Sequence, residues 1–299
     1  MKKFIILFIA SILVIALIIG QCDDETLELA EEELYNENNE FTERQEVSLI
    51  SSDIEEANEE TNKETLPQTI VTNSIEIPKI PCDIPEQIIN RKAYTVSYNK
   101  ETKCPNWVAW YLSASHADGE WARSNDYRED YDVPTPRATN DDYRGSSWSR
   151  GHMCPAGDNK WDADAMSETF LLSNMCPQDR NLNSGLWNRI EMDCRRWAKE
   201  YGGIYIVCGP VFYDKDHEKI GVNKVVVPEA FYKVILCLKG RPKAIGFIVK
   251  NNEGTKKKDQ YVNTIDDVER ITKIDFFPAL PDSIENVIEA YANIKDWYQ

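Results

Sequence analysis

The chain holds three histidines, His116, His152 and His217, and one of them sits where chemistry is legible. His152 closes the triplet Arg150-Gly151-His152, preceded by Ser149 and followed by Met153, Cys154 and Pro155. Downstream, Asn183, Glu191 and Arg195 form an Asn-x7-Glu-x3-Arg array. An imidazole near its ordinary pKa can take a proton at neutral pH. A carboxamide oxygen can hold a hard cation that keeps most of its own waters. A carboxylate can accept a hydrogen bond from such a water, and a guanidinium can clamp a phosphate. Together these are the residue types needed to cut a phosphodiester with one hard metal ion. His116 and His217 lie outside the array and read as solvated surface residues.

These side chains need strands and a helix to hold them. Residues 148–155 read as a strand carrying His152, and 170–176 as a second. Residues 182–201 read as a helix, with Trp187, Ile190, Cys194 and Trp197 at helical spacing and Gly202-Gly203 as its stop. At about 100° per residue, Glu191 falls near 80° and Arg195 near 120° from Asn183, so all three share one side of that helix. The alternative is a polar cap at Asn183 beside an ordinary Glu191–Arg195 surface pair. Strands are expected at 107–112, 204–208, 224–227, 232–238 and 244–249, with helices at 162–167 and near 282–295. Residues 124–147 read as a long loop. This is an α+β pattern, and 81–299 is long enough for one domain with a sizeable core.

The first eighty residues read as delivery. Lys2 and Lys3 precede an apolar run from Phe4 to Ile19, the pattern of an export signal over 1–22. Cleavage, retention as an anchor, or lipidation at Cys22 all remain open, with lipidation favoured because Ile19-Gly20-Gln21-Cys22 resembles a bacterial lipoprotein box. The expected location is therefore the cell envelope, tied to the membrane through an N-terminal lipid or anchor, or secretion. Residues 23–80 are polar and acidic, too poor in apolar residues to offset the entropy of ordering, and read as a disordered tether. The whole chain carries −17. Residues 1–80 hold 5 basic and 18 acidic side chains, which leaves −4 for 81–299. Such a domain is a poor general binder of polyanions. A nucleic acid therefore requires a local basic cluster, and Arg123, Arg128, Arg137, Arg144, Arg150, Arg180, Arg189, Arg195 and Arg196 supply one. Eight cysteines in an exported chain suggest bridges. Cys82–Cys104 could staple the N-terminal edge of the domain and Cys154–Cys176 could link the two strands, but connectivity is not legible, and the spacings argue against structural zinc.

From Trp107 to Tyr261 the chain resembles the DNA/RNA non-specific endonucleases of the ββα-metal (His-Me finger) superfamily. The pieces that carry the resemblance recur in order: Arg123 in Trp-Ala-Arg-Ser-Asn, Arg150-Gly151-His152-Met153, Ser173-Asn174-Met175-Cys176-Pro177-Gln178, Asn183-Ser184-Gly185-Leu186-Trp187, Glu191, Arg195 and Cys208-Gly209-Pro210. The resemblance implies a mixed, mainly antiparallel sheet core with a ββα active-site motif. It implies His152 as general base, Asn183 as ligand of Mg²⁺ (Mn²⁺ substituting), and Glu191 orienting a metal-bound water. Arg123 would clamp the scissile phosphate, Arg195 would support the phosphate or Glu191, and Arg150 and Asn174 would bind substrate or hold the loops. DNA and RNA would both be cut without strong sequence preference, leaving 5′-phosphate ends. Two departures stand out: Ser149 replaces the usual Asp before the triplet, and Cys154 and Cys176 replace small or apolar residues. The alternative function is a non-catalytic surface protein on the same scaffold, binding nucleic acid or a partner. The oligomeric state is not legible.

Overall fold

The computed structural model describes residues 74–213, 216–252 and 254–298. The expected signal over 1–22 and nearly all of the expected tether lie outside the described residues. The compact unit runs from Gln68 to Gln299.

Eleven strands occur among the described residues: β1 (Gln87–Asn90), β2 (Thr95–Asn99), β3 (Cys104–Ser113), β4 (Ser149–His152), β5 (Met175–Gln178), β6 (Gly203–Val211), β7 (Lys219–Ile220), β8 (Val225–Val226), β9 (Ala230–Cys237), β10 (Lys243–Lys250) and β11 (Val262–Asn263). Seven build the main sheet in the order β1-β2-β3-β6-β9-β10-β11, while β4-β5 and β7-β8 form separate ribbons. Every strand pairing is antiparallel, in keeping with the α+β, mainly antiparallel expectation. The α-helices are α1 (Asn140–Tyr143), α2 (Ala163–Glu168), α3 (Arg180–Leu182), α4 (Asn188–Tyr201), α5 (Ile265–Thr272) and α6 (Asp282–Glu289).

Helices cover both faces of the sheet, which is why every residue of β9 is buried. Side chains alternate across a strand, so neighbours on β9 report opposite faces. Lys233 lies near the rings of Trp110 and Trp187, on the face covered by the segment that runs into α4. Tyr232 meets Phe276 instead, at 5.4 Å. Gly246 is paired with Val234 and lies against Val268 of α5, which places α5 over the Tyr232 face. A Cβ at Gly246 would sit 2.6 Å from the Val268 side chain, so glycine is what lets this helix close on the sheet.

The cysteine bridges expected from the sequence do not form: Cys82, Cys104, Cys154, Cys176, Cys194, Cys208 and Cys237 are all free thiols. Cys154 lies beyond the end of β4, where its sulfur accepts a hydrogen bond from Asn159 Nδ2 at 3.3 Å. Cys176 turns to Cys104, whose thiol is its hydrogen-bond partner. Burial pushes the Cys154 and Cys176 thiols well up, so both are poor thiolate nucleophiles. A reducing agent is accordingly expected to leave Tm unchanged within about 1 °C, since no cross-link constrains the unfolded chain. Thermal melts with and without reductant check this.

Candidate active site

β4 and β5 lie side by side, with Ser149 opposite Gln178 and His152 opposite Met175. The second strand begins later than the sequence suggests. Leu172–Asn174 is a 3-10 turn, and Asn174 is wholly buried within it. Its Oδ1 accepts from the Cys154 N–H, and its Nδ2 donates to the carbonyls of Cys154 and Thr169, all at 2.9 Å. Of its two expected roles, substrate contact or loop support, this geometry matches the second: the amide is spent on backbone. Gly151 passes so close to Gln178 that a Cβ would sit 2.3 Å from its Oε1. Glycine between Arg150 and His152 is therefore a requirement of the ribbon.

His152 is only 7% exposed. Its ring meets Phe170 at 5.0 Å and Tyr127 at 5.8 Å, edge to face. Arg123 lies over the Phe170 ring at 4.8 Å and Arg150 over the Tyr127 ring at 3.9 Å. Burial first, and then the charges of Arg123 and Arg150, push the imidazole down to about 3. It is therefore neutral at physiological pH, and its Nε2 has no hydrogen-bond partner among the described residues. Arg123 is held by Asn125 and by the Tyr127 hydroxyl at 2.9 and 3.2 Å. Arg150 donates to Asn140 Oδ1 at 2.6 Å.

Asn183 is half-buried, and its Nδ2 donates to Ser149 Oγ at 3.0 Å. Ser149 Oγ in turn donates to the Gln178 carbonyl at 2.8 Å. The amide nitrogen is thereby committed, which leaves Oδ1, the atom a hard cation would use. Ser149, unexpected at this position, thus supplies the hydroxyl that orients the asparagine. If Asn183 holds a metal as the sequence resemblance implies, replacing Ser149 by alanine is expected to raise the divalent-metal concentration needed for half-maximal activity by about tenfold, the lower end of what a supporting partner of a metal ligand contributes. Activity should recover at saturating metal. An unchanged half-saturating concentration in a metal titration would remove Ser149 from this role.

The helix after the ribbon departs from the sequence reading. Asp179, not Asn183, caps it, accepting from the Leu182 N–H at 2.8 Å. Asn183 lies inside a wide π turn, Asn183–Trp187, where Gly185 adopts φ −98° and ψ −106° before α4 begins. A regular 100° projection from Asn183 to Glu191 does not hold across such a turn. Nor do Glu191 and Arg195 form an ion pair. Arg195 donates to Asp158 at 2.8 Å, and the other oxygen of Asp158 accepts from Trp110 Nε1 at 3.2 Å. Gly157 gives this guanidinium room, since a Cβ there would sit 2.8 Å from it. Burial raises Glu191 to about 7, against the opposing pull of Lys233, Arg195 and Arg123.

Lys233 was not legible as a site residue. It is 1% exposed, with Nζ 5.0 Å from the Trp110 ring centroid and 4.9 Å from that of Trp187. Burial would lower it, but Cys208, Glu191, Cys194 and Asp158 outweigh that and keep its ammonium charged. Its Nζ makes no salt bridge to Glu191 or Asp158, yet its buried positive charge favours the ionised form of both. No sequence signal marks it, apart from a lysine in the middle of an otherwise apolar strand.

A family model of DNA/RNA non-specific endonucleases matches residues 72–283. The chain belongs to that family. Among curated relatives, it is 38% identical over 205 residues to the human mitochondrial nuclease EXOG, covering 62% of this chain and 56% of that one. It is 36% identical over 161 residues to human mitochondrial endonuclease G, covering 50% and 54%. With nuclease C1 of Cunninghamella echinulata the figures are 35% over 210 residues, covering 64% and 83%. The chain thus spans little more than half the length of the animal relatives. Among solved structures, the EndoG/EndoGI inhibition complex superposes with a TM-score of 0.65 at 27% identity, covering 73% of this chain and 95% of that one. These relatives overturn the expected location. Those from frog, human and cattle are named as mitochondrial nucleases, so placement in a cell envelope, membrane anchoring and secretion are all withdrawn.

Proposed function

We propose that the chain is a divalent-metal-dependent endonuclease that hydrolyses phosphodiester bonds in both DNA and RNA, releasing 5′-phosphate and 3′-hydroxyl ends. Its catalytic domain is assigned to residues 81–299. The observation that carries this reading is the placing of a neutral, unpartnered His152 between two guanidiniums, on the same ribbon whose Ser149 orients Asn183.

Asn183 Oδ1 would hold the cation, and its neutral donor suits Mg²⁺, which keeps most of its waters. When bound, such an ion supplies Lewis-acid charge to the phosphate and the leaving oxygen. The rest falls to the chain. Arg123 and Arg150 clamp the scissile phosphate and stabilise charge developing on its oxygens. A substrate phosphate would counter only the guanidinium share of that depression, burial being the larger cause, so the imidazole stays neutral and free to accept a proton. His152 then takes the proton of the attacking water. Glu191 accepts hydrogen bonds from water around the cation, while Arg195 acts through Asp158 to hold that side of the helix. No recognition helix or zinc finger is in evidence among the described residues, and phosphate contacts carry no sequence information, so cutting without strong sequence preference follows.

The test is incubation of the full chain with plasmid DNA and with RNA, in Mg²⁺, Mn²⁺ and EDTA, beside Asn183→Ala. Cutting of both substrates in metal, abolished by EDTA and by the substitution, is the expected result. Folded protein that binds both nucleic acids yet cuts neither in any metal would instead support the non-catalytic scaffold.

A further inference from the structure

The sheet face opposite His152 carries a second concentration of carboxylates that the nuclease reading does not use. Asp266 and Glu269 stand one turn apart on α5, and Glu289 closes α6. One oxygen from each lies within 4.8 Å of the others. The three are graded in exposure. Glu289 is only 7% exposed, and its Oε1 is buried with no hydrogen-bond partner among the described residues. Glu269 is partly buried, and one of its oxygens accepts the Phe276 N–H at 2.7 Å. Asp266 is exposed and forms the open side.

A buried carboxylate with a free oxygen is costly unless something positive or protic meets it. The charged groups that bear most on Glu289 supply nothing positive, being Glu269, Glu285, Asp266 and Asp275. Lys79 stands at the rim, 4.0 Å from Asp275. Burial, followed by these neighbours, pushes Glu289 up to about 9, and burial pushes Glu269 to about 7.

From this geometry we propose that Asp266, Glu269 and Glu289 form a binding site for a hard divalent cation, Ca²⁺ in particular. All three donors are carboxylate oxygens, as hard cations require. Ca²⁺ takes six to eight such oxygens at about 2.3–2.6 Å, so any two oxygens of its shell stand no more than about 5 Å apart, a limit the three here already meet. The cluster can meet it without collapse, and water can complete the shell on the Asp266 side. Glu289 lies beyond the segment matched by the family model, which ends at residue 283. The ion would join α5 to the end of α6 and act on stability, not on the reaction.

Equilibrium dialysis of the full chain against Ca²⁺, paired with thermal melts, tests this in the parent, Asn183→Ala, Asp266→Asn and Glu289→Gln. The expected result is a site that survives in Asn183→Ala and is weakened at least about tenfold in each carboxamide variant, because charge count sets affinity. At a hundredfold excess over Kd, Ca²⁺ should raise the parent's Tm by roughly 5 °C. That rise should vanish in the two variants. Asp266→Asn changes an exposed residue and keeps the test alive if Glu289→Gln folds poorly. Ca²⁺ binding unchanged by both variants would overturn the proposal, as would its absence at millimolar concentration. A Glu289→Gln protein that is more stable than the parent, equally in Ca²⁺ and in EDTA, would also overturn it, by showing that Glu289 is held as a neutral acid.

Discussion

His152→Ala is expected to lower kcat/KM on both DNA and RNA by about 10²–10⁴-fold, the range for a lost general base, while Tm changes little. The accompanying pH profile is the more telling readout. With the imidazole pushed down to about 3, His152 is already neutral at every pH where the protein would be assayed, so it does not set the acid limb. That limb belongs to Glu191, which burial raises to about 7. Its ionised form is the stronger acceptor for water at a cation, so the rate should fall as pH drops through the Glu191 titration, which lies at about 7 without metal. A bound cation would move the limb downward by favouring the carboxylate. Glu191→Gln should flatten the limb and lower the plateau. It should also alter stability with the opposite sign. A carboxyl raised from 4.5 to about 7 takes up protons in the native state before the unfolded one does, so native stability falls as pH climbs through that window. The glutamine variant should lose this fall and match or exceed the parent's stability above pH 7. Denaturant melts at pH 5 and pH 8 measure it. An acid limb that stays in place in Glu191→Gln would return the titration to His152 and undo the assignment.

The legible parts of this site are those that share a short stretch of chain. Arg150-Gly151-His152 was readable because its three residue types stand together on one strand, although the Gln178 side chain that requires the glycine lies on the other. Core strands were readable from apolar runs such as 232–238 and 244–249, while their antiparallel arrangement was implied by the family resemblance. The edge strand β1 was missed because exposed and half-exposed residues such as Gln87 and Ile88 dilute its pattern, and β2 beside it because buried polar residues such as Ser97 and Asn99 do. The turn at Asn183–Trp187 was missed for a different reason. Periodicity averages over a single wide turn, and only the backbone angles of Gly185 disclose it. Arg195 was read as supporting the phosphate or Glu191, its visible i,i+4 neighbour. Its real partner, Asp158, lies 37 residues away on another element. Lys233 was hidden most thoroughly. Lysine is among the residues least often buried, and its countercharges come from separate segments that meet only in the fold.

Lys233→Met should accordingly be among the most damaging single changes available outside His152. Methionine keeps the length and apolar character of the side chain, so packing between Trp110 and Trp187 survives. What disappears is the charge facing Glu191 and Asp158. Lys233 Nζ forms no salt bridge to either carboxylate among the described residues, so the loss is of longer-range attraction and should fall below the about 3–5 kcal/mol typical of a broken buried pair. The loss of the cation–π contacts adds about 1–2 kcal/mol. Two carboxylates deprived of their ammonium should also hold protons more tightly, which carries the Glu191 limb above pH 7 and lowers activity at neutral pH. Denaturant melts measure the first effect and pH–rate profiles the second. The two together separate a positioning role from mere scaffolding. A variant that loses stability but keeps the parent's acid limb would show that Lys233 supports the core alone. A shifted limb, restored when Lys233→Arg returns the charge, would place the lysine in control of Glu191. Fluorescence of Trp110 and Trp187 gives an independent check that the ring pair still closes around the substituted side chain.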